Sequence, residues 1–342
     1  MIEAIRSYIA QKGYSCAAGL VESYYLSLKT RPFVLLTGNS DVDKTALPRL
    51  FAEAVGATPE NGRYLQLTVS PDWMDSSDLF GWLNLEGKFI PGVIIDFLKA
   101  AQQNPDKPYF LCLDSLLLSR ADYFLRDFVA AVESLGQPEE KPFVNLSYYG
   151  RDEEAAQTYG VIPALPNVYT AATVDVDLEG RPLSRKLLDR VGTLTVRKDD
   201  MTVTAPGTAT AAAADNSFLK TVYHGLDQCP EAGLMADIAV FGEINRILTP
   251  ANTYIGYQLR NDSILYLAHN RLVGAMPESA ALDRVIREKV LSRLQCTPKT
   301  VPVLEELRGY CATAGCNRSA EVLARLIARC GETGLSDYWD CL

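Results

Sequence analysis

Four short apolar runs alternate with helix-patterned segments between residues 33 and 174. No other feature limits so strongly what this chain can fold into. The runs are Phe33–Thr37, Tyr64–Val69, Tyr109–Leu113 and Val168–Val174, and a fifth, "VGTLTVRK", begins at Val191. Between them Thr45–Val55, Gly92–Gln102 and Ala121–Ser134 read as helices. Runs that are apolar at nearly every position are buried on both faces, and strands joined through helices run parallel. The pattern predicts an α/β protein, an αβα sandwich with a five-stranded parallel sheet.

The flanking segments read differently. Residues 1–30 predict two short helices, with Leu20, Tyr24, Tyr25 and Leu28 at helical spacing. Residues 137–165 are polar, with Pro, Gly and paired Glu, and predict a long loop. "TAPGTATAAAADN", Thr204 to Asn216, is low in complexity and reads as a linker rather than an alanine-rich helix start. Beyond it the pattern is helical over Ser217–Leu226, Gly233–Leu248, Ala280–Leu294, Pro302–Ala314 and Ser319–Ala328. The organisation expected is a helical lead-in over 1–30, an αβα core over 31–203, and a linker with a helical C-terminal domain over 204–342. A chain of 342 residues is long enough for two such cores.

Composition removes several classes of function. Apolar residues make up 48% and charged residues 22%, as in soluble globular proteins. No run reaches the ~20 apolar residues of a membrane span, and "MIEAIRSYIAQKGY" lacks the apolar centre of a signal peptide. A cytoplasmic protein is expected. The formal charge of −9 disfavours broad attraction to nucleic acid. Of eight cysteines only Cys311 and Cys316 lie close, with no zinc spacing, so buried thiols are expected. The two histidines, His224 and His269, supply few metal ligands.

The first strand leads into "LLTGNSDVDKTALPRL". A phosphate-binding loop needs Gly-x4-Gly-Lys-Ser/Thr between a strand and a helix. Here Gly38, Lys44 and Thr45 keep that spacing, but Asp43 stands at the second glycine and Asp41 within the loop. A non-Gly residue in the left-handed region costs ~1–2 kcal/mol. A carboxylate ~4 Å from a phosphate charge adds ~1–4 kcal/mol of repulsion per pair. Micromolar affinity is worth only about 8 kcal/mol, so these terms together can remove it. One reading places Asp41 or Asp43 in the anion site itself. Another has an aspartate capping the helix, which is favourable at a helix N-terminus.

Two further segments bear on the same edge of the sheet. In "PYFLCLDSLLLSRADYFLRDFVAAVES" the strand ends at Asp114, followed by Ser115. A hydrolytic site uses such an Asp to hold Mg²⁺ and an adjacent acid to polarise water, a role Ser115 cannot fill at neutral pH. In "NVYTAATVDVDLEGRPLSRKLLDR" a buried strand reaches Asp175 and Asp177, then a helix carries Arg185, Lys186 and Arg190. Such cations could reach a γ-phosphate held by a neighbouring subunit, or simply form a solvated helix face.

Taken in order, these segments resemble the AAA+ module of the McrB family, the nucleotide-driven subunit of modification-dependent restriction systems. The resemblance also rests on "VSPDWMDSSDLFGWLNLEGKFIPG", "GYQLRNDSILYL" and "ALDRVIREKVLSRL", and it covers about residues 5–300. It implies an AAA+ αβα core with a helical lid, and nucleotide-dependent assembly into rings. Gly38, Asp41, Asp43, Lys44, Thr45, Asp114 and Asp175 fall at its nucleotide-contacting positions. Thr45 and Asp114 would hold Mg²⁺, and Arg185 and Arg190 match arginine-finger or sensor positions. Ser115 stands at the catalytic Glu, and Asp175 at the sensor Asn.

These departures imply a module that does not hydrolyse nucleotide, holds no cofactor and acts through protein partners, with at most weak self-assembly. The alternatives are an ATP- or GTP-hydrolysing enzyme with Mg²⁺ and an unusual loop, or nucleotide held without turnover. Only about 30 residues precede the core, so no DNA-reading domain is expected in this chain.

Overall fold

The structure, a computed structural model, describes residues 1–146, 152–177 and 185–341. Five parallel strands form the central sheet: β1 (Phe33–Gly38), β2 (Tyr64–Thr68), β3 (Tyr109–Asp114), β4 (Val168–Asp175) and β5 (Gly192–Thr195). Their order across the sheet is β5-β1-β4-β3-β2. β1 pairs with β4 from Phe33↔Thr170 to Gly38↔Asp175, so those two sequence-singled residues lie side by side at one edge.

Alternation along each strand divides the apolar residues between two cores. Phe33 and Leu35 of β1, with Leu111 and Leu113 of β3, face the layer holding α4 (Ile95–Gln103) and α5 (Arg126–Ser134). Val34 and Leu36, with Phe110 and Cys112, face α1 (Ile2–Gln11), α2 (Leu20–Thr30) and α3 (Ala46–Ala54). That second core continues without a break into the C-terminal helices. These are α6 (Glu231–Leu248), α7 (Tyr257–Val273), α8 (Glu278–Val285), α9 (Val301–Thr313) and α10 (Asn317–Thr333). The αβα core and the helical C-terminal region expected from the sequence are thus both present.

Several local expectations are corrected. Ser217–Leu226 is not a helix. It holds only short 3-10 turns at Asn216–Phe218 and Leu226–Gln228. Tertiary contacts fix this segment instead: Lys29 Nζ donates to the carbonyls of Phe218 (3.0 Å) and Lys220 (2.9 Å). The phenol of Tyr25 also donates to Phe218 O at 2.7 Å. Ala121–Ser134 breaks at Leu125 into Ala121–Phe124 and α5. Ala280–Leu294 begins as α8, widens into a π turn over Ile286–Val290 and tightens to 3-10 over Leu291–Arg293. The π turn carries Arg287, Glu288 and Lys289, all buried.

The loop expected over 137–165 contains a helix, Glu153–Thr158, and a short antiparallel pair, Val144–Asn145 with Val161–Ile162. Tyr14–Cys16 pairs antiparallel with Met201–Val203, a contact too short and too distant in sequence to foresee. Thr204–Asn216 contains no helix before Asn216. It lies as a strap, with Gly207 N donating to Gln11 O (2.6 Å) and Ala212 N to Ala54 O (2.8 Å). All eight cysteines are free thiols. Six are buried, and Cys16 and Cys229 are partly exposed. Among the described residues no helix is long and apolar enough to cross a membrane.

His269, on α7, is fully buried, and its Nε2 accepts from the amides of Val222 and Tyr223, both at 3.2 Å. Burial, with the nearby Lys29 charge, pulls its pKa down to about 4. The unfolded side chain takes a proton near pH 6.5, before the folded one does. Stability is therefore intact above pH 6.5 and falls by up to ~3 kcal/mol as pH drops from 6.5 to 4. Urea unfolding at pH 7 and pH 4.5 measures this, beside His269→Gln, whose amide oxygen still accepts from both N–H groups. The variant should lose less stability than the wild type over that range. Equal losses would show that His269 does not set the acid limit.

Candidate functional site

The C-terminal edge of a parallel sheet is where open α/β folds place ligands. Gly38, Asp114 and Asp175 end β1, β3 and β4 at that edge. Gly38 is required by crowding rather than by a left-handed turn, since a Cβ there would collide with the carbonyl of Val196 on the neighbouring segment. None of the residues from Gly38 to Thr45 takes a positive φ. The cost expected for a left-handed aspartate is therefore absent, and so is the concave array of amides that positive-φ loop residues create for a phosphate.

The lysine is 5% exposed. Its ammonium donates to Asn39 O (2.6 Å) and Val42 O (3.2 Å) and is paired with Asp175 Oδ1 at 2.6 Å. An ammonium has three N–H donors, and these three acceptors use them all. Asp175, read from the sequence as an anion at a γ-phosphate position, is here the counter-ion of Lys44.

The two loop aspartates divide their roles. Asp43 Oδ1 accepts from Thr45 N (3.1 Å), Thr45 Oγ1 (2.8 Å) and Ala46 N (3.1 Å). It thus covers the first amides of α3 and the hydroxyl that a P-loop offers to Mg²⁺. Asp41 turns away to Lys198, at 3.2 Å, with both side chains more than half exposed. A further acid closes the loop from the other side: Asp177 accepts from Ser40 N and Ser40 Oγ, both at 2.8 Å. Desolvation raises its carboxyl pKa, but the two Ser40 bonds outweigh that and hold it below the usual aspartate range.

Asp114 is held by its neighbour strand. Thr173 Oγ1 donates to Asp114 Oδ1 at 2.6 Å and accepts from Ser115 N at 2.8 Å. Ser115 adopts a left-handed conformation, φ 59 and ψ 53, which is uncommon for a residue with a Cβ. Arg190 Nε lies 3.7 Å from Glu133 Oε1, and the same oxygen accepts from Gln258 of α7 at 2.9 Å. This cation is thus paired within its own chain. Arg185 begins the short helix Arg185–Leu188, and its side chain, with that of Lys186, lies outside the described residues.

The structure brings Lys44, Asp43, Thr45 and Asp175 together and separates Asp41 from them. Sequence reasoning missed Thr173, Lys198 and the carbonyls of Asn39 and Val42. Thr173 was findable in principle, because it stands two residues before Asp175 on a strand whose neighbour ends at Asp114. The backbone acceptors and Lys198 carry no motif signal.

The fold that holds this edge is an αβα sandwich around a five-stranded parallel sheet, with a helical C-terminal region. A crystal structure at 2.00 Å resolution of a "putative ATPase" from Cytophaga hutchinsonii ATCC 33406 is similar to this chain. The likeness covers 85% of this chain and 86% of the other, with a TM-score of 0.51 and 12% sequence identity. At that identity it speaks for the fold alone. Residues 215–335 match a family model described as a domain of unknown function (DUF8727). No curated protein matches the chain.

Proposed function

We propose that this chain is a McrB-like AAA+ module that neither hydrolyses nor tightly binds nucleotide, and that it acts through protein–protein contacts as part of a restriction or defence-type complex. The observation that carries the reading is the saturation of Lys44 by Asp175 and two loop carbonyls. Each group a Mg-nucleotide would recruit already has a partner: the lysine, the first amides of α3, the Thr45 hydroxyl and Asp114. Ser115 at the acid position leaves no side chain beside Asp114 to take a proton from water.

An exposed apolar projection suits a protein partner. The hairpin Gly81–Leu83/Phe89–Pro91 presents Trp82, half exposed, and Leu85, fully exposed at its turn, with Val93 exposed nearby. The reading in which ATP or GTP binds with Mg²⁺ is favoured by the survival of Lys44, Thr45 and Asp114 in one place. It requires the Lys44–Asp175 pair to open.

Isothermal titration with ATPγS and GTPγS in the presence of Mg²⁺ separates the two. The expected result is no saturable heat at millimolar nucleotide, and no phosphate release that depends on Lys44. Micromolar binding, or turnover abolished by Lys44→Ala, would replace this reading with that of a working NTPase.

A further inference from the structure

The hairpin Gly81–Leu83/Phe89–Pro91 is built to hold its tip still. Asn84 closes the turn: its Oδ1 accepts from Glu86 N (3.0 Å) and Lys88 N (2.8 Å), and its own amide donates to Lys88 O at 2.8 Å. At the root Gly81 takes a φ of +106°, and a Cβ there would collide with Ile90 O. Phe89 N donates to Asp152 Oδ2 at 2.8 Å, which ties the returning strand to the helix Glu153–Thr158. A turn braced in this way loses little freedom when it is bound. Yet it holds Leu85 fully in solvent and Trp82 half in it.

A cavity of about 310 Å³ opens beside the hairpin. Phe80, Trp82, Phe89 and Phe143 supply aromatic lining, and Asp75 and Asp127 supply carboxylates. No Lys, Arg or His is among the described lining residues. Asp75 is exposed, and its Oδ1 accepts from Ser77 N (2.8 Å) and Ser77 Oγ. Asp127 accepts from Ser76 Oγ and, at 3.2 Å, from Arg126 Nε, a pair open to solvent on both sides and therefore worth little. The surroundings carry the same sign. Between residues 72 and 96 five acids, Asp72, Asp75, Asp78, Glu86 and Asp96, stand against one base, Lys88. An aromatic lining rimmed by carboxylates attracts a cation with an apolar or planar body, while the local excess of acid repels nucleic acid and anionic lipid. A guanidinium meets that description better than an ammonium: it stacks on rings, is more weakly hydrated and pairs bidentately with carboxylate.

We propose that this face docks a basic segment of a partner protein, with one arginine entering the cavity against its aromatic lining and the carboxylates of Asp75 and Asp127, and a neighbouring apolar side chain resting on Trp82 and Leu85. The assignment rests on the reading that this chain acts through protein contacts, and it gives the partner a chemistry. Charge complementarity sets the choice of partner, and the braced apolar tip supplies contact area around the anchoring arginine.

Fluorescence anisotropy of the full chain with labelled, capped pentapeptides tests this in about 0.15 M salt, which screens long-range attraction to an acidic chain. The probes are LRLRL, the same peptide with citrulline for arginine, which keeps the shape without the charge, and SRSRS. LRLRL is expected to saturate the protein below millimolar concentration, with each of the other two about tenfold weaker. Asp75→Asn and Leu85→Ser should each weaken LRLRL about tenfold. Both positions are exposed, so these variants should melt with the wild type. Glu321→Gln, which removes one exposed acid from α10, should change nothing. Silence of LRLRL at millimolar concentration, equal binding of the citrulline peptide, or equal losses in Asp75→Asn and Glu321→Gln would each overturn the assignment. So would a dimer in sedimentation that Leu85→Ser dissolves, since the occupant would then be a second copy of this chain. The nucleotide titration is independent of this one. Micromolar nucleotide binding would remove the reading on which the assignment rests, whereas peptide silence beside nucleotide silence would remove the docking site alone.

Discussion

A chain carrying Asp43→Gly and Asp175→Asn together is expected to bind ATPγS·Mg²⁺ in the micromolar range, and the unmodified chain is expected to stay silent at millimolar concentration. The argument starts from what a phosphate must displace. Lys44 is buried, and its ammonium makes one ion pair and two carbonyl bonds. To meet a phosphate it must leave Asp175, which stays at the strand edge as an uncompensated anion. A carboxylate ~4 Å from each phosphate charge costs ~1–4 kcal/mol per pair. Asp43 must also give up the amides of Thr45 and Ala46. Removing both acids deletes these terms and supplies the glycine that a phosphate loop has at position 43. A gain of ~4 kcal/mol is three orders of magnitude in affinity.

The same variant loses the cover over the first turn of α3, worth ~1 kcal/mol, and leaves the buried Lys44 ammonium without its counter-ion, so its melting temperature should fall clearly without ligand. Asp41→Gly alone should do little, because Asp41 pairs with Lys198 at the surface. Silence of the double variant would show that the backbone path from Gly38 to Thr45 closes the site, rather than the charges on it.

What the sequence made legible, and what it did not, follows from where side chains end up. β1, β3 and β4 were readable because nearly every residue in them is buried, which leaves unbroken apolar runs. α7 was invisible for a related reason. From Asp262 to Asn270 every residue is buried, including Asp262, His269 and Asn270, so no polar face marks a helical period. Ser217–Leu226 misled in the opposite sense. Phe218, Leu219 and Val222 are spaced as on a helix, but Lys29 and His269 take the backbone groups that a helix would pair internally. At the strand edge the motif spacing was enough to select Lys44, Asp43, Thr45, Asp114 and Asp175. It could not tell Asp41 from Asp43. That difference depends on Lys198, which follows a strand 157 positions away in sequence.

Glu288→Ala is expected to destabilise the protein by ~3–5 kcal/mol, lowering Tm by roughly 5–10 °C. Glu288 is 2% exposed and joins the C-terminal region to the sheet. Its Oε2 accepts from Thr195 N at 2.9 Å and Thr195 Oγ1 at 2.7 Å at the end of β5, while its Oε1 faces Arg284 and Arg287. Tyr338, near the C-terminus, closes the same cluster with its phenol 3.0 Å from Thr195 Oγ1. Truncation at Glu288 leaves a buried guanidinium and a buried amide without partners, the costly way to break an ion pair. Other links lie alongside: Lys289 Nζ donates to Val191 O at 3.3 Å, and Arg31 pairs with the fully buried Asp262 at 2.7 Å. A chain of buried charges thus fastens the C-terminal region to the sheet. Hydrogen exchange supplies the local readout. The Thr195 amide should exchange only on global unfolding in the wild type and much faster in Glu288→Ala, with Glu288→Gln between them. If Glu288→Ala melts within about 1 kcal/mol of the wild type, well below the range for breaking a buried pair, then Glu288 is not what fastens the helical region to β5.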